Sequence, residues 1–151
     1  MNQTTSCDIL LVEDNPHDLE LALRALGKSE IKRTIHVARD GLEALNYLFC
    51  EGEFADRNIK DTPKLILVDL KLPKISGLEV IERIKIDPRT MFIPLVVLTS
   101  SKEQRDVVES YRMGINSYIV KPVSFEQFAA AVHQLGIYWM LLNQPPNPGP
   151  L

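Results

Sequence analysis

Five residues have the types needed for charge-driven group transfer: Glu13, Asp14, Asp69, Thr99 and Lys121. Each stands at or just past the end of a short apolar run, the runs being 9–12, 65–68, 95–98 and 118–120. Three carboxylates drawn to one place resist ionisation unless a cation sits among them, so the acidic set implies a hard divalent ion. Mg²⁺ suits it, because this ion takes oxygen ligands, keeps several waters and is held by one or two carboxylates plus phosphate oxygens. With Lys121 and Thr99 opposite, one carboxylate would be surrounded by a metal, an ammonium and a hydroxyl. Such a set fits phosphoryl transfer, where positioning and neutralisation of equatorial charge do most of the catalysis. Singly, each residue has a plainer reading: an acidic pair after a strand caps a helix or lines a turn, Thr99 is a turn hydroxyl, and Lys121 is a surface lysine. Only their coincidence at four strand ends lends them chemical weight.

That coincidence depends on the elements between them. The apolar runs, with a fifth at 34–38, suit strands covered on both faces. They alternate with amphipathic stretches, and five such units predict an α/β fold, a doubly wound five-stranded parallel sheet with helices on both faces. The functional crevice of such a sheet lies at the carboxyl ends of its strands. The first helix is expected to bury Leu19, Ala22, Leu23 and Leu26, with Pro16 in its first turn and Gly27 as its stop. Asp40 can cap the second while Glu43 reaches back, and Gly52 ends it. Ser76 with Glu79 opens the third, which buries Leu78, Ile81 and Ile84 and stops before Asp87-Pro88. Ser101 with Gln104 starts the fourth, ending at Gly114, and Ser124 with Gln127 starts the fifth, with a stripe of Phe125, Phe128, Val132, Leu135 and Trp139.

Composition narrows the class. A chain of 151 residues, 45% hydrophobic and 25% charged, is expected to form one globular domain. A net charge of -3 and a pI near 5.6 argue against nucleic acid as a direct partner. No basic leader precedes the first apolar run and no stretch is long enough to cross a bilayer, so a cytoplasmic, membrane-free protein is expected. Cys7 and Cys50 read as free thiols, and His17, His36 and His133 lack ligand spacing. The boundaries expected are an N-terminal extension over 1–7, one domain over 8–142 and a flexible Pro-rich tail over 143–151. The polar connection 51–64 is either a contact loop or an uninvolved, mobile surface loop.

The segments ILLVEDN, LILVDLKLPKISG, VVLTSS and SYIVKP occur in the order found in CheY-like receiver domains of response regulators, and the chain resembles that family over about residues 8–140. HVARDGLEALNYL, the loop beginning EGEF, and NSYIVKPVSFEQF with GIYWMLLNQPP look most like the small single-domain regulators of cyanobacterial phytochrome histidine kinases. The resemblance implies a flavodoxin-like sheet of strand order 2-1-3-4-5. It makes Asp69 the phosphoacceptor, Glu13 and Asp14 the acidic pair around Mg²⁺, and the backbone carbonyl of Lys71 a further metal ligand. It gives Thr99 and Lys121 to the phosphoryl oxygens, makes Thr99 and Tyr118 the switch pair, and implies a cis Lys121–Pro122 bond. The family commonly has Asp where this chain has Ser76, which alters local charge but keeps a helix-capping residue.

The functional expectation is a single-domain response regulator that is phosphorylated by a partner histidine kinase, with no turnover of a separate substrate. The chain ends soon after the fifth helix, so output by protein contact is expected. Large apolar groups at Tyr138, Trp139, Met140 and Leu141 suggest a homodimer through the face of the fourth helix, fifth strand and fifth helix. Two rivals are a phosphorylation-independent pseudo-receiver or adaptor, and a Mg²⁺-dependent phosphatase with an aspartyl nucleophile. The phosphatase usually has a second Asp two residues beyond the nucleophile, where this chain has Lys71.

Overall fold

A computed structural model describes residues 7–27, 34–122 and 124–146. Most of the expected N-terminal extension and the end of the Pro-rich tail lie outside the described residues. Five strands, β1 (Ile9–Val12), β2 (Ile35–Ala38), β3 (Leu65–Val68), β4 (Leu95–Thr99) and β5 (Ser117–Val120), form one parallel sheet in the order β2-β1-β3-β4-β5. The helices between and after them are α1 (Pro16–Gly27), α2 (Gly41–Leu48), α3 (Gly77–Ile86), α4 (Gln104–Met113) and α5 (Phe125–Ile137).

Continuous apolar strands give two cores, because alternate side chains leave opposite faces of a sheet. Leu10, Val12, Ile66, Val68, Leu95 and Val97 pack on one face with Ala44, Leu45, Leu48, Val80, Ile81 and Ile84. Ile9, Leu11, Leu65, Leu67, Val96 and Leu98 pack on the other with Leu19, Ala22, Leu26, Phe128 and Val132. Each such Val, Leu, Ile or Phe side chain contributes about 1.5–3 kcal/mol by leaving water, so the central strand ends are held on a stiff base.

Several helix details differ from expectation. Helix α1 buries Leu21 and Ala25 while Leu23 is 37% exposed, because the apolar stripe is rotated toward α5. Phe125 is 49% exposed at the start of α5, where the chain has only begun to pack. Ser101 does not cap α4; Glu103 holds the cap position, and Ser101 Oγ instead donates to Asp106 Oδ2 at 2.6 Å. Helix α2 stops at Leu48, four residues before Gly52, and Glu43 reaches back to the Arg39 N–H. The capping contacts expected from Asp40, Ser76 and Ser124 are present, and Gly114 closes α4 at φ 101°.

The connection 51–64 is neither loose nor featureless. After a 3-10 turn at Gly52–Phe54, Arg57 is buried, donates to the carbonyls of Tyr47 and Asp61, and lies 4.0 Å over the Tyr47 ring. Its guanidinium closes the carboxyl end of α2, where carbonyls lack helical partners.

Candidate functional site

The strand ends are carried slightly past the sheet by further backbone bonds. Asp69 N–H donates to Val12 O at 3.1 Å, which sets Asp69 beside the end of β1, and Lys121 N–H donates to Thr99 O at 2.7 Å. Gly77 is required at the start of α3, since a Cβ there would lie 2.3 Å from Asp69 O and 2.5 Å from Leu70 Cα. Its absence lets the helix press directly against the Asp69 backbone.

Four of the five residues singled out by type and spacing meet. Thr99 Oγ1 donates to Asp69 Oδ1 at 2.7 Å, and the Lys71 N–H donates to the same oxygen at 3.2 Å. Lys121 Nζ donates to Asp69 Oδ2 at 2.9 Å and to Glu13 Oε1 at 2.8 Å. The fifth, Asp14, is exposed and takes no part in these bonds. A carboxylate from the first turn of α1 joins them instead: Asp18 Oδ2 accepts from Lys121 Nζ at 2.7 Å.

Asp18 does not stand out among residues directly after the strands, because it lies a few positions further on, within α1. An acid in the first turn of a helix also has a ready local meaning, as a complement to the helix dipole. The signal available was that α1 begins just beyond β1, so its first turn stands over the same strand ends.

The Lys121 ammonium lies among the Glu13, Asp18 and Asp69 carboxylates. Burial works against its charge, but hydrogen bonds to Asp18, Glu13 and Asp69 outweigh burial and raise its pKa above the usual lysine range. Burial also pushes the Glu13 carboxyl up, against the pull of the Lys121 hydrogen bond. Among the described residues, no group of three or more His, Cys, Asp or Glu side chains is arranged as a ready metal cluster.

Tyr118 is half-buried on β5, and its hydroxyl donates to the carbonyl of Ser101 at 3.0 Å. Burial raises its pKa. The Lys121–Pro122 peptide is trans, contrary to the cis bond implied by the family resemblance. Trans remains the lower-energy isomer before proline by about 0.5–1 kcal/mol, so nothing opposes it locally.

This arrangement sits on a chain whose residues 9–133 match the response regulator receiver domain. The chain belongs to the response regulator receiver family. This receiver is 38% identical over 132 residues to the response regulator Rcp1 of Synechocystis sp., a match covering 87% of this chain and 88% of Rcp1. The crystal structure of Mn²⁺-bound Rcp1 superposes with a TM-score of 0.86 at 37% identity, covering 92% of this chain and 98% of that one. The phosphorylated cyanobacterial phytochrome response regulator RcpA gives a TM-score of 0.87 at 38% identity, covering 95% of this chain and all 100% of RcpA. The bacteriophytochrome response regulator RtBRR is 51% identical, with a TM-score of 0.74 and coverage of 94% and 85%. The protein is a receiver-domain response regulator related to the phytochrome response regulators, and the sheet order matches theirs.

Proposed function

We propose that this receiver accepts a phosphoryl group on Asp69 from the phosphohistidine of a phytochrome-type histidine kinase, with Mg²⁺, and signals through protein contact. The observation that carries the reading is the state of the Asp69 carboxylate. It is buried, with one oxygen fixed by Thr99 and the Lys71 N–H and the other facing the Lys121 ammonium. A nucleophile so held is already oriented and flanked by the groups that neutralise a transferred phosphoryl.

The donors fit the metal: Glu13, Asp14, Asp69 and the Lys71 carbonyl offer only hard oxygens, and an exposed Asp14 suits an ion that keeps its waters. When bound, the ion would offset charge on the group being transferred. The Mn²⁺-bound form of Rcp1 and the phosphorylated form of RcpA support both features by relationship. In the transfer, an Asp69 oxygen bonds to phosphorus as the P–N bond to the donor imidazole breaks, its electron pair returning to the ring nitrogen. Thr99 and Lys121 then face the phosphoryl oxygens, and hydrolysis by water later restores the carboxylate.

The switch follows from hydrogen bonds already made. Thr99 leaves Asp69 Oδ1 for a phosphoryl oxygen, which frees space for Tyr118 to release the Ser101 carbonyl and turn inward. The surface reporting this change is that of α4, β5 and α5. Strand β5 is an edge strand, α4 buries only Ser110, and Tyr138 and Leu141 just beyond α5 are exposed. Homodimerisation through this face is the proposed consequence, in the cytoplasm, without turnover of a separate substrate. Transfer from a phosphorylated phytochrome-type kinase tests the whole: wild type should become labelled and Asp69→Asn should not. Equal labelling of both would end the assignment.

A further inference from the structure

The Lys121 ammonium carries three protons, and three carboxylate oxygens take them: Glu13 Oε1, Asp18 Oδ2 and Asp69 Oδ2. An ammonium has no fourth donor, so any new partner must displace one of these. Two of the three have other tasks in phosphoryl transfer. Asp69 gives an oxygen to the new P–O bond, and Glu13 is the buried carboxylate offered to the metal.

Asp18 has no such task, and it is fixed independently of the others. Its backbone N–H donates to Asn15 Oδ1 at 3.0 Å in the capped first turn of α1, and α1 packs through Leu19, Ala22 and Leu26 into the core shared with α5. Complementing the helix dipole would require only that its carboxylate lie near the helix start. Instead it makes the shortest of the three contacts to Lys121 Nζ, and the lysine side chain is 9% exposed.

We propose that Asp18 is a positioning residue for Lys121. It keeps the ammonium at the strand ends while Glu13 and Asp69 engage other partners, so that Lys121 meets the phosphoryl oxygen without being recaptured from solvent. The inference rests on the reading of Asp69 as phosphoacceptor.

The test uses the full chain with acetyl phosphate and saturating Mg²⁺, comparing wild type, Asp18→Ala, Lys121→Met and the double variant. Asp18→Ala should slow phosphoryl incorporation about fivefold, ~1 kcal/mol, and the double variant should be no slower than Lys121→Met alone. In metal-free buffer without donor, acylation of Lys121 by an amine reagent, read by mass spectrometry, should quicken severalfold in Asp18→Ala. A helix-dipole role would leave that acylation unchanged. Wild-type incorporation in Asp18→Ala, or an equal loss added on top of Lys121→Met, would overturn the proposal. An Asp69→Asn control separates the two readings: if it alone loses phosphate, Asp69 stands and the role of Asp18 falls.

Discussion

Lys121 and Arg57 are two cationic side chains buried in opposite ways. Lys121, at the carboxyl ends of the strands, is surrounded by the carboxylates of Glu13, Asp18 and Asp69. Arg57, beside the end of α2, is met instead by the Tyr47 and Asp61 carbonyls, the Cys50 thiol and the face of the Tyr47 ring. Backbone carbonyls and a packed ring cannot leave without unfolding the region, so Arg57 is a fixed clamp. The Glu13 and Asp69 carboxylates can take a metal or a phosphoryl group instead, so two of the three contacts of Lys121 are exchangeable. Burial of a cation alone therefore says little about function; the nature of its partners separates a staple from a working part.

Substitution of each cation should break the comparison in a different direction. Lys121→Met should slow incorporation from acetyl phosphate about hundredfold, in line with removal of a transition-state charge partner. In divalent-free buffer this variant should also lose stability, because Glu13 and Asp69 are left buried without their cation, and added Mg²⁺ should raise its melting temperature more than that of wild type. Arg57→Met should act the other way, costing about 2–3 kcal/mol in urea unfolding through the lost hydrogen bonds to the Tyr47 and Asp61 carbonyls and a lost cation–π contact. Its phosphoryl incorporation should stay near the wild-type rate.

The smallest effect sharpens the clamp side. His36 stacks on Tyr47 with ring centroids 4.0 Å apart and stands 3.6 Å from Glu43 Oε2. Burial lowers its pKa, against the pull of Glu43 and Glu53 and with the help of Arg57. The unfolded chain then binds the proton more readily than the folded one. The resulting stability is present above the unfolded value of about 6.5 and is lost as pH falls through the depressed folded value. Replacing His36 with Gln should flatten the dependence of melting temperature on pH across that window, by less than about 1 kcal/mol. An unchanged slope would place the titration elsewhere.

The fold was largely legible because its signals are local and repeated. Runs such as 9–12 and 65–68 are apolar at every position and are buried at every position, as strands covered on both faces must be. Asp69, Thr99, Glu13 and Lys121 could be brought together from sequence because the parallel topology turns strand ends into neighbours. Asp18 was legible only as a first-turn residue of a helix that starts just beyond β1; its contact with Lys121 comes from how α1 leaves β1, and periodicity cannot report that angle. Arg57 was not legible: an arginine in a polar connection gives no sign that α2 will end beneath it. In the α1 stripe Leu19, Ala22 and Leu26 are buried as expected, but Leu23 is not, because Leu21 and Ala25 are equally apolar and only packing against α5 decides between them.

The most direct test of the phosphoacceptor assignment is to incubate the full chain with a small phosphodonor and Mg²⁺, then locate the added group by mass spectrometry. One phosphoryl group on the peptide containing Asp69, lost when Mg²⁺ is chelated beforehand, is the expected result. Modification at a different residue, or none under conditions in which the wild-type protein is folded, would contradict the account.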